Sequence, residues 1–216
     1  LAYGRYHAGI WYANFCYHSG EHCGTHMDAP IHFAEGKRSI EQIPVAQLIG
    51  PGVMISVADA SSQDRDYRLQ AADILAWEAR MGRIPDGAIV LVHTGWGRYW
   101  EDRAAFLGSA GNDPADFHFP GIARDAADLL AGERRIAMVG IDTASLDHGP
   151  SRDYITHQIL CGAEIPGVEN VGNMERLPES GFVVLALPMK IAGGSGAPCR
   201  IVALLGALTD PHAVGE

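Results

Sequence analysis

A short segment near the start of the chain concentrates side chains that bind metal ions. It reads EHCGTHMDAPIHF and contains three histidines and an aspartate, which are His22, His26, Asp28 and His32. Imidazole and carboxylate groups are good ligands for divalent ions such as zinc or manganese. Three imidazoles and a carboxylate brought together are costly unless a positive charge lies among them. The segment therefore predicts a divalent metal site.

The residues between these ligands predict how the segment is folded. Gly24 and Pro30 disfavour a continuous helix, so an extended segment or a loop is expected. In an extended chain, residues at even separations point to the same side, which would place the four ligand-type residues on one face. Spacing alone leaves two roles open for His32, a fourth metal ligand or a base that moves protons.

The composition limits the class of protein. The chain has 216 residues, with 16 Lys plus Arg, 26 Asp plus Glu and ten His, so its formal charge is −10. This negative charge argues against nucleic acid as a partner, and no apolar run approaches the ~20 residues of a membrane span. The four cysteines form no CxxC motif and are expected to be reduced thiols. No signal peptide is recognisable, and a cytoplasmic location is expected.

Apolar runs that alternate with helical patterns predict a single α/β domain. Strands are predicted at Val53–Val57, Ala88–Val92, Ile136–Ile141, Val168–Val171, Phe182–Leu187 and Ile201–Leu205, and helices at Leu69–Met81, Ile122–Leu130 and Tyr154–Cys161. A turn is expected at Gly50–Gly52. The aromatic stretch from Trp96 to Pro120 is expected to be a long excursion with one short helix that covers a binding site.

The segment from His22 to His32 also resembles a known family. HCGTHMDAPIH fits the pattern His-x-Gly-Thr-His-x-Asp-x-Pro-x-His of the cyclase-like metal hydrolases, which include bacterial kynurenine formamidases and isatin hydrolases. Further similar segments follow in the family's order, namely GIDTASLD at Gly140–Asp147, the pair His157 and Glu169, and PMKIAGGSGAPCR at Pro188–Arg200. The resemblance covers most of the chain. It implies one swivelling β/β/α domain over residues 1–216 and a homo-oligomer, either a dimer or a tetramer.

The resemblance also implies roles for individual residues. It makes His22, His26 and Asp28 the ligands of a first divalent ion, manganese or zinc, and His32 the catalytic base. In the binuclear formamidases, the counterpart of Asp28 bridges to a second ion that the counterparts of His157 and Glu169 hold. Isatin hydrolases are described with a single manganese. One ion with a possible second is therefore expected.

The implied reaction is hydrolysis of a C–N amide bond in an indole-derived aromatic compound. The segments GVENVGN and GWGRYWEDRAAFLG are more similar to the isatin-type branch, which favours opening of isatin to isatinate. Removal of formyl from N-formylkynurenine is the alternative reaction, and an inactive module that binds a metal or ligand is the alternative from another class. Trp11, Trp96 and Ser195 are expected to contact the substrate, with backbone N–H groups around Ser195 facing a developing oxyanion.

A few remaining residues carry weaker signals. Asp142 and His93 end or follow buried strands, where a residue either supports a site or caps a turn. His148 and His212 are interpreted as surface residues. The strand that usually opens proteins of this family is not recognisable before Tyr3.

Overall fold

A computed structural model describes residues 2–5 and 9–206 of the chain. Its strands are β1 (Ala2–Arg5), β2 (Trp11–Asn14), β3 (His26–Asp28), β4 (Ile49–Ser56), β5 (Arg68–Leu69), β6 (Ile89–His93), β7 (Gly121–Ile122), β8 (Met138–Ile141), β9 (Gly167–Glu169), β10 (Phe182–Pro188) and β11 (Gly196–Leu205). Its α-helices are α1 (Ala58–Gln63), α2 (Ala71–Met81), α3 (Arg103–Leu107), α4 (Arg124–Asp128) and α5 (Ile155–Gly162). Among these helices, none is long and apolar enough to cross a membrane.

Seven of the strands close into a barrel in the order β10, β11, β3, β9, β8, β6 and β4. Strands β4, β6, β8 and β9 run parallel to one another, as expected for an α/β protein. Strands β10, β11 and β3 pair antiparallel and join the two edges of that parallel set. The predicted α/β class is therefore confirmed, and the sheet is a mixed closed barrel.

The barrel separates two apolar cores, and the parallel strands contribute to both. Along β4, Val53 and Ile55 pack outward with residues of the helices, whereas Met54 packs into the barrel interior. Along β6, Val90 faces outward and Leu91 inward in the same alternation. Because both faces are buried, these strands read as continuous apolar runs in the sequence.

The predicted turn at Gly50–Gly52 is wrong, because these residues lie within β4. Pro51 pairs with Val183 of β10, and the glycines beside it allow a close approach of chains. A Cβ atom at Gly52 would lie 2.1 Å from the ring of Phe182. The glycines therefore serve tight packing between strands and do not form a turn.

Two of the predicted helices begin two residues later than the sequence pattern indicates. Leu69 and Ile122 pair with each other in the short parallel pair of β5 and β7, so neither residue is helical. Helix α2 begins after Gln70, whose backbone N–H donates to the Asp73 carboxylate at 2.8 Å. It ends before Gly82, which has a φ of 90°. The other predicted strands and α5 are confirmed with shifted ends.

The excursion after β6 contains the short helix that its sequence predicts, α3. Trp96, Phe106 and Phe119 from this excursion pack together as a small core of their own. Near the start of the chain, β1 and β2 pair as an antiparallel hairpin that is separate from the barrel.

Candidate metal centre

Strand β3 brings the central residues of the histidine segment into the barrel wall. It pairs with β9 on one side, which sets His26 opposite Glu169, and with β11 on the other, which sets Asp28 opposite Gly196. Helix α5 adds His157 from outside the strand pair, with its Nε2 atom 3.2 Å from Asp28 Oδ2. The predicted ligand residues therefore meet at one place.

The segment contains both of the forms expected for it, an extended stretch and loops, and the single shared face of a fully extended chain is not formed. Only three residues form β3, and Gly24, with a φ of 64°, turns the chain before it. A 3-10 turn over Pro30–His32 follows the strand. His22 and His32 are therefore brought together by two changes in chain direction, and their rings stack with centroids 4.0 Å apart. They do not share a strand face.

Each of three imidazoles has an outer nitrogen, which faces away from the ligand cluster, and an inner nitrogen, which faces into it. The outer nitrogen of each donates a hydrogen bond. His26 Nδ1 lies 2.9 Å from the Gly24 carbonyl oxygen, and His157 Nδ1 lies 2.6 Å from Asp147 Oδ2. A carbonyl oxygen and a carboxylate can only accept, so these Nδ1 atoms carry the proton. His22 is the third, with its Nε2 atom 2.9 Å from Ser195 Oγ.

His22 is oriented by a chain of two hydrogen bonds. Ser195 Oγ donates to Glu21 Oε2 at 2.7 Å, and His22 Nε2 lies 2.9 Å from the same Oγ. Because the serine proton is used on the glutamate, its oxygen accepts from His22 Nε2–H. The other ring nitrogen, His22 Nδ1, then faces Asp28 Oδ1 at 2.6 Å.

The inner nitrogens and the carboxylates converge on a common point. His26 Nε2 lies 3.3 Å from Asp28 Oδ1 and 3.4 Å from Glu169 Oε2. His157 Nε2 lies 3.1 Å from Glu169 Oε1. Lone pairs of nitrogen facing carboxylate oxygens repel unless a cation lies between them. The donor set therefore fits a divalent ion held by imidazoles whose outer N–H groups are fixed.

Burial makes the charge balance of this cluster demanding. Asp28 and Glu169 are only 1% and 5% exposed. Burial opposes a charge on His26, but the hydrogen bond with Asp28 and the charge of Glu169 outweigh it and raise the pKa of His26 to about 9. The pKa of His157 is raised well above its ordinary value in the same way, against burial, by Asp147 and Asp28. Without a metal, protons on these imidazoles provide the positive charge.

The carboxylates show the complementary effect. Burial and then the charge of Asp28 raise the pKa of Glu169. Asp28 itself has a pKa held well below its ordinary value, because hydrogen bonds from His157 and His22 outweigh its burial. A divalent cation among these groups would remove the need for the extra protons.

Among the residues that the structure describes, two sets of three ligand atoms lie close enough to hold an ion, and the atoms of each set are all within 4.8 Å of one another. One set is His22, Asp28 and His32, and the other is His26, Asp28 and Glu169. Asp28 belongs to both sets. The expected first-ion set of His22, His26 and Asp28 is thus divided between two overlapping groups.

A cavity of about 290 Å³ opens onto this cluster. Its lining residues are His22, His26, Asp28, His32, Phe33, Ala144, Ser145, Tyr154, His157 and Glu169. Ala144 and Ser145 come from the GIDTASLD segment. Phe33 and Tyr154 provide the apolar side of the cavity, and the sequence motifs assign a role to neither.

Of the three residues expected to contact the substrate, the two tryptophans lie away from this cavity. The side chain of Trp11 is 66% exposed on β2, and Trp96 is 4% exposed, with its indole N–H donating to the Phe106 carbonyl oxygen at 2.8 Å. Neither tryptophan lines the cavity. Ser195 lies beside it, but its Oγ and its backbone N–H both donate to Glu21 Oε2. This placement favours support of His22 over an oxyanion contact.

Asp142 and His93 lie at neighbouring strand ends outside the cluster. Asp142 Oδ1 accepts from the backbone N–H and the hydroxyl of Thr94, at 2.9 and 2.6 Å, and Oδ2 accepts from Trp96 N–H. His93 Nδ1 lies 3.0 Å from Ser56 Oγ. Both residues line a separate cavity of about 470 Å³. His148 is partly buried, and His212 lies outside the described residues.

The supporting residues were missed at the level of sequence. Asp147 lies at the end of the GIDTASLD segment, and Glu21 immediately precedes the first histidine of the motif. Their positions inside recognisable segments were the available signal. Asn170 likewise lies in the GVENVGN segment, and its side-chain amide donates to the Gly24 carbonyl oxygen at 2.9 Å and thereby fixes the loop before β3.

The chain is similar in sequence to known proteins. The model of the Cyclase family, described as "Putative cyclase", matches residues 5–148. The chain is 34% identical over 194 residues to an isatin hydrolase of Roseibium aggregatum, covering 86% of this chain and 72% of that protein. The chain belongs to the Cyclase family. The family resemblance seen in the motifs is thus confirmed.

Other members of the Cyclase family are similar over a comparable length. A kynurenine formamidase of Paracidovorax citrulli is 26% identical over 188 residues, which cover 84% of this chain and 74% of that protein. The structure of isatin hydrolase A from Ralstonia solanacearum superimposes with a TM-score of 0.82 at 36% identity, over 92% of this chain and 76% of that one. The α/β barrel described above is therefore a Cyclase-family fold.

Proposed function

We propose that this Cyclase-family chain is a metal-dependent amidohydrolase that opens the lactam ring of isatin to give isatinate. The observation that carries the proposal is the convergence of imidazole nitrogens and two buried carboxylates on one cavity, with the outer nitrogens held by Gly24, Asp147 and Ser195. The similarity to isatin hydrolases supports the choice of substrate.

The residues that would hold the ion are His22, His26, Asp28, His157 and Glu169. The donor set of imidazole and carboxylate suits manganese or zinc. Asp28 belongs to both overlapping ligand sets, which supports one ion and leaves room for a second. When bound, such an ion lowers the pKa of water and polarises a carbonyl group.

His32 is proposed as the base. Burial lowers the pKa of His32 to about 4, against the charge of Asp28, so its imidazole is neutral at pH 7 and has a nitrogen lone pair. Hydrolysis adds the oxygen of water to the lactam carbonyl carbon and breaks the bond from that carbon to nitrogen. His32 takes one proton from the attacking water and returns it to the departing nitrogen, and the second proton of that water is released when the new carboxylic acid ionises to isatinate.

The same chemistry would remove formyl from N-formylkynurenine, and the similarity to kynurenine formamidases supports this reaction as the second candidate. The deciding experiment loads the purified protein with Mn²⁺ or Zn²⁺ and compares kcat/KM on isatin and on N-formylkynurenine. We expect the larger value on isatin. A larger value on N-formylkynurenine assigns the formamidase activity. No turnover of either compound by protein that holds its metal favours an inactive binding module.

Three finer expectations belong to the same proposal. They are the swivelling β/β/α arrangement of a single domain over residues 1–216, a homo-oligomer, and a cytoplasmic location. Light scattering of the purified protein distinguishes a dimer from a tetramer, and cell fractionation tests the location.

A further inference from the structure

The aromatic side of the metal-site cavity is formed by Phe33 and Tyr154, which come from two different parts of the chain. Phe33 directly follows His32, and Tyr154 lies at the start of α5, three residues before His157. Their ring centroids are 5.5 Å apart, and the Phe33 ring lies 4.5 Å from that of His157. An apolar wall therefore adjoins the cluster of ligand-type residues.

The backbone at Tyr154 is held in an unusual conformation. Its φ of 49° and ψ of 41° lie in the left-handed region, which is sterically unfavourable for a bulky side chain. The Tyr154 N–H donates to Ser151 Oγ at 3.2 Å, and the N–H groups of Thr156 and His157 donate to Asp147. The contacts that orient His157 therefore also fix the strained start of the helix. Such strain persists where the surroundings impose it, often at functional sites.

The strained conformation leaves the Tyr154 side chain at the open side of the cavity. The residue is 41% exposed, although it lines the cavity and contacts Phe33. A large aromatic surface exposed beside a polar cluster is costly in water and becomes favourable when another ring covers it. A planar ring fused to a lactam would be placed against this wall when its carbonyl group reaches the ligand cluster.

We propose that Tyr154 is a specificity-determining residue whose ring, backed by Phe33, packs against the aromatic ring of the substrate and so selects aryl over aliphatic compounds with the same scissile bond. The inference rests on the proposed amide hydrolysis and names the part of the substrate that the chain recognises. It assigns to Tyr154 and Phe33 the substrate wall that the sequence analysis expected from Trp11 and Trp96.

The test compares isatin with pyrrolidine-2,3-dione, which has the same lactam and ketone without the fused benzene ring. The variants are Tyr154→Phe, which keeps the ring, and Tyr154→Asn, which removes it with a residue that accepts left-handed backbone. We expect Tyr154→Asn to lower kcat/KM on isatin by about ten- to a hundredfold and on the aliphatic lactam by less than about threefold. Tyr154→Phe should stay within about threefold of the wild type on both. Tyr17→Ala is the control, because Tyr17 is 68% exposed and does not line the cavity.

A binding measurement separates this inference from the proposed reaction. Calorimetric titration of the manganese-loaded protein with phenylglyoxylate and with pyruvate compares an aryl and an aliphatic 2-oxo acid without turnover. We expect the wild type to bind phenylglyoxylate more tightly, and Tyr154→Asn to lose most of that preference. If the wild type prefers phenylglyoxylate to pyruvate but hydrolyses neither lactam, the proposed reaction is wrong and the role of Tyr154 in binding an aromatic ring is retained. Equal losses on aryl and aliphatic compounds, or no loss in Tyr154→Asn, would overturn the role of Tyr154.

Discussion

Two clusters at neighbouring strand ends contain a histidine and an aspartate, and only one of them is arranged for chemistry. In the first, Asp28 on β3 faces inner nitrogens of His22, His26 and His157. In the second, Asp142 follows β8 beside His93 at the end of β6. Both aspartates are buried, and both clusters open onto a cavity.

The difference lies in what satisfies each carboxylate. Backbone N–H groups of Thr94 and Trp96, together with the Thr94 hydroxyl, occupy both oxygens of Asp142, which thereby fixes the loop after β6. Asp28 has imidazole nitrogens as its only side-chain partners in the described part of the chain. A buried carboxylate surrounded by backbone donors stabilises a loop, whereas one surrounded by imidazoles requires a proton or a cation.

The same substitution at the two aspartates should have opposite consequences. We expect Asp28→Asn to lower metal content to a small fraction of one equivalent and kcat/KM by at least about a thousandfold, more than the roughly 10–100-fold that supporting residues contribute. Asp142→Asn should keep its metal but lower the free energy of unfolding by about 2–4 kcal/mol, because the amide N–H₂ would face backbone N–H groups. Metal analysis and urea unfolding measure the two effects. If Asp142→Asn lost its metal and Asp28→Asn kept it, the roles assigned to the two clusters would be contradicted.

His32→Ala should separate a base from a ligand within the first cluster. If His32 moves the proton, kcat falls by about 10²–10⁴-fold while the protein retains its bound metal. Single-turnover rates and metal content are measured on the same sample. A parallel loss of metal would make His32 a ligand, as its place in the set with His22 and Asp28 also permits.

The stability of the metal-free protein should depend on pH through His26 of the first cluster. The pKa of His26 is raised from 6.5 to about 9, so its protonation stabilises the fold fully below pH 6.5 and ceases to do so as pH rises through about 9. We expect EDTA-treated protein to lose on the order of 1–3 kcal/mol of unfolding free energy over this interval. Urea unfolding at several pH values measures it, and saturating Mn²⁺ should flatten the dependence. An equally steep dependence in His26→Gln would assign it to other groups.

Asp147→Asn tests how far the support of a ligand matters. The Asp147 carboxylate accepts from His157 Nδ1 and from two backbone N–H groups at the start of α5. We expect a 10–100-fold weaker affinity for Mn²⁺, since the ring of His157 loses its fixed proton and orientation. Competition with a chelator measures the affinity. Ser195→Ala, which removes the corresponding support from His22, serves as the matched variant and should show a smaller change, because His22 is more exposed.

The sequence predicts the residues of the site better than their geometry. The positions of His22, His26, Asp28 and His32 indicate a metal site, and the structure brings them together with His157 and Glu169. The single face of a fully extended segment is not formed, because Gly24 turns the chain and Pro30 starts a 3-10 turn. The spacing of residues in a sequence predicts regular helices and strands. The geometry of this site depends instead on two irregular segments, the turn at Gly24 and the 3-10 turn that begins at Pro30.

For the fold, likewise, the sequence predicts the elements better than their arrangement. Apolar runs located the parallel strands because both of their faces are buried, but the closure of the barrel depends on pairing between distant segments. Pro51 and Gly52 read locally as a turn, and only their pairing with β10 makes them part of a strand. The aromatic wall was missed for a comparable reason. Nothing local distinguishes Tyr154 from a surface tyrosine until α5 brings it beside Phe33.

The most direct test of the account is a metal titration followed by activity. The protein is stripped with a chelator, and Mn²⁺ is added back in steps while bound metal and the rate of isatin hydrolysis are measured on the same samples. The account predicts no activity in the stripped protein, a rate that rises in proportion to bound metal, and neither binding nor activity in Asp28→Asn. Full activity in the stripped protein, or stoichiometric binding that Asp28→Asn leaves unchanged, would contradict it.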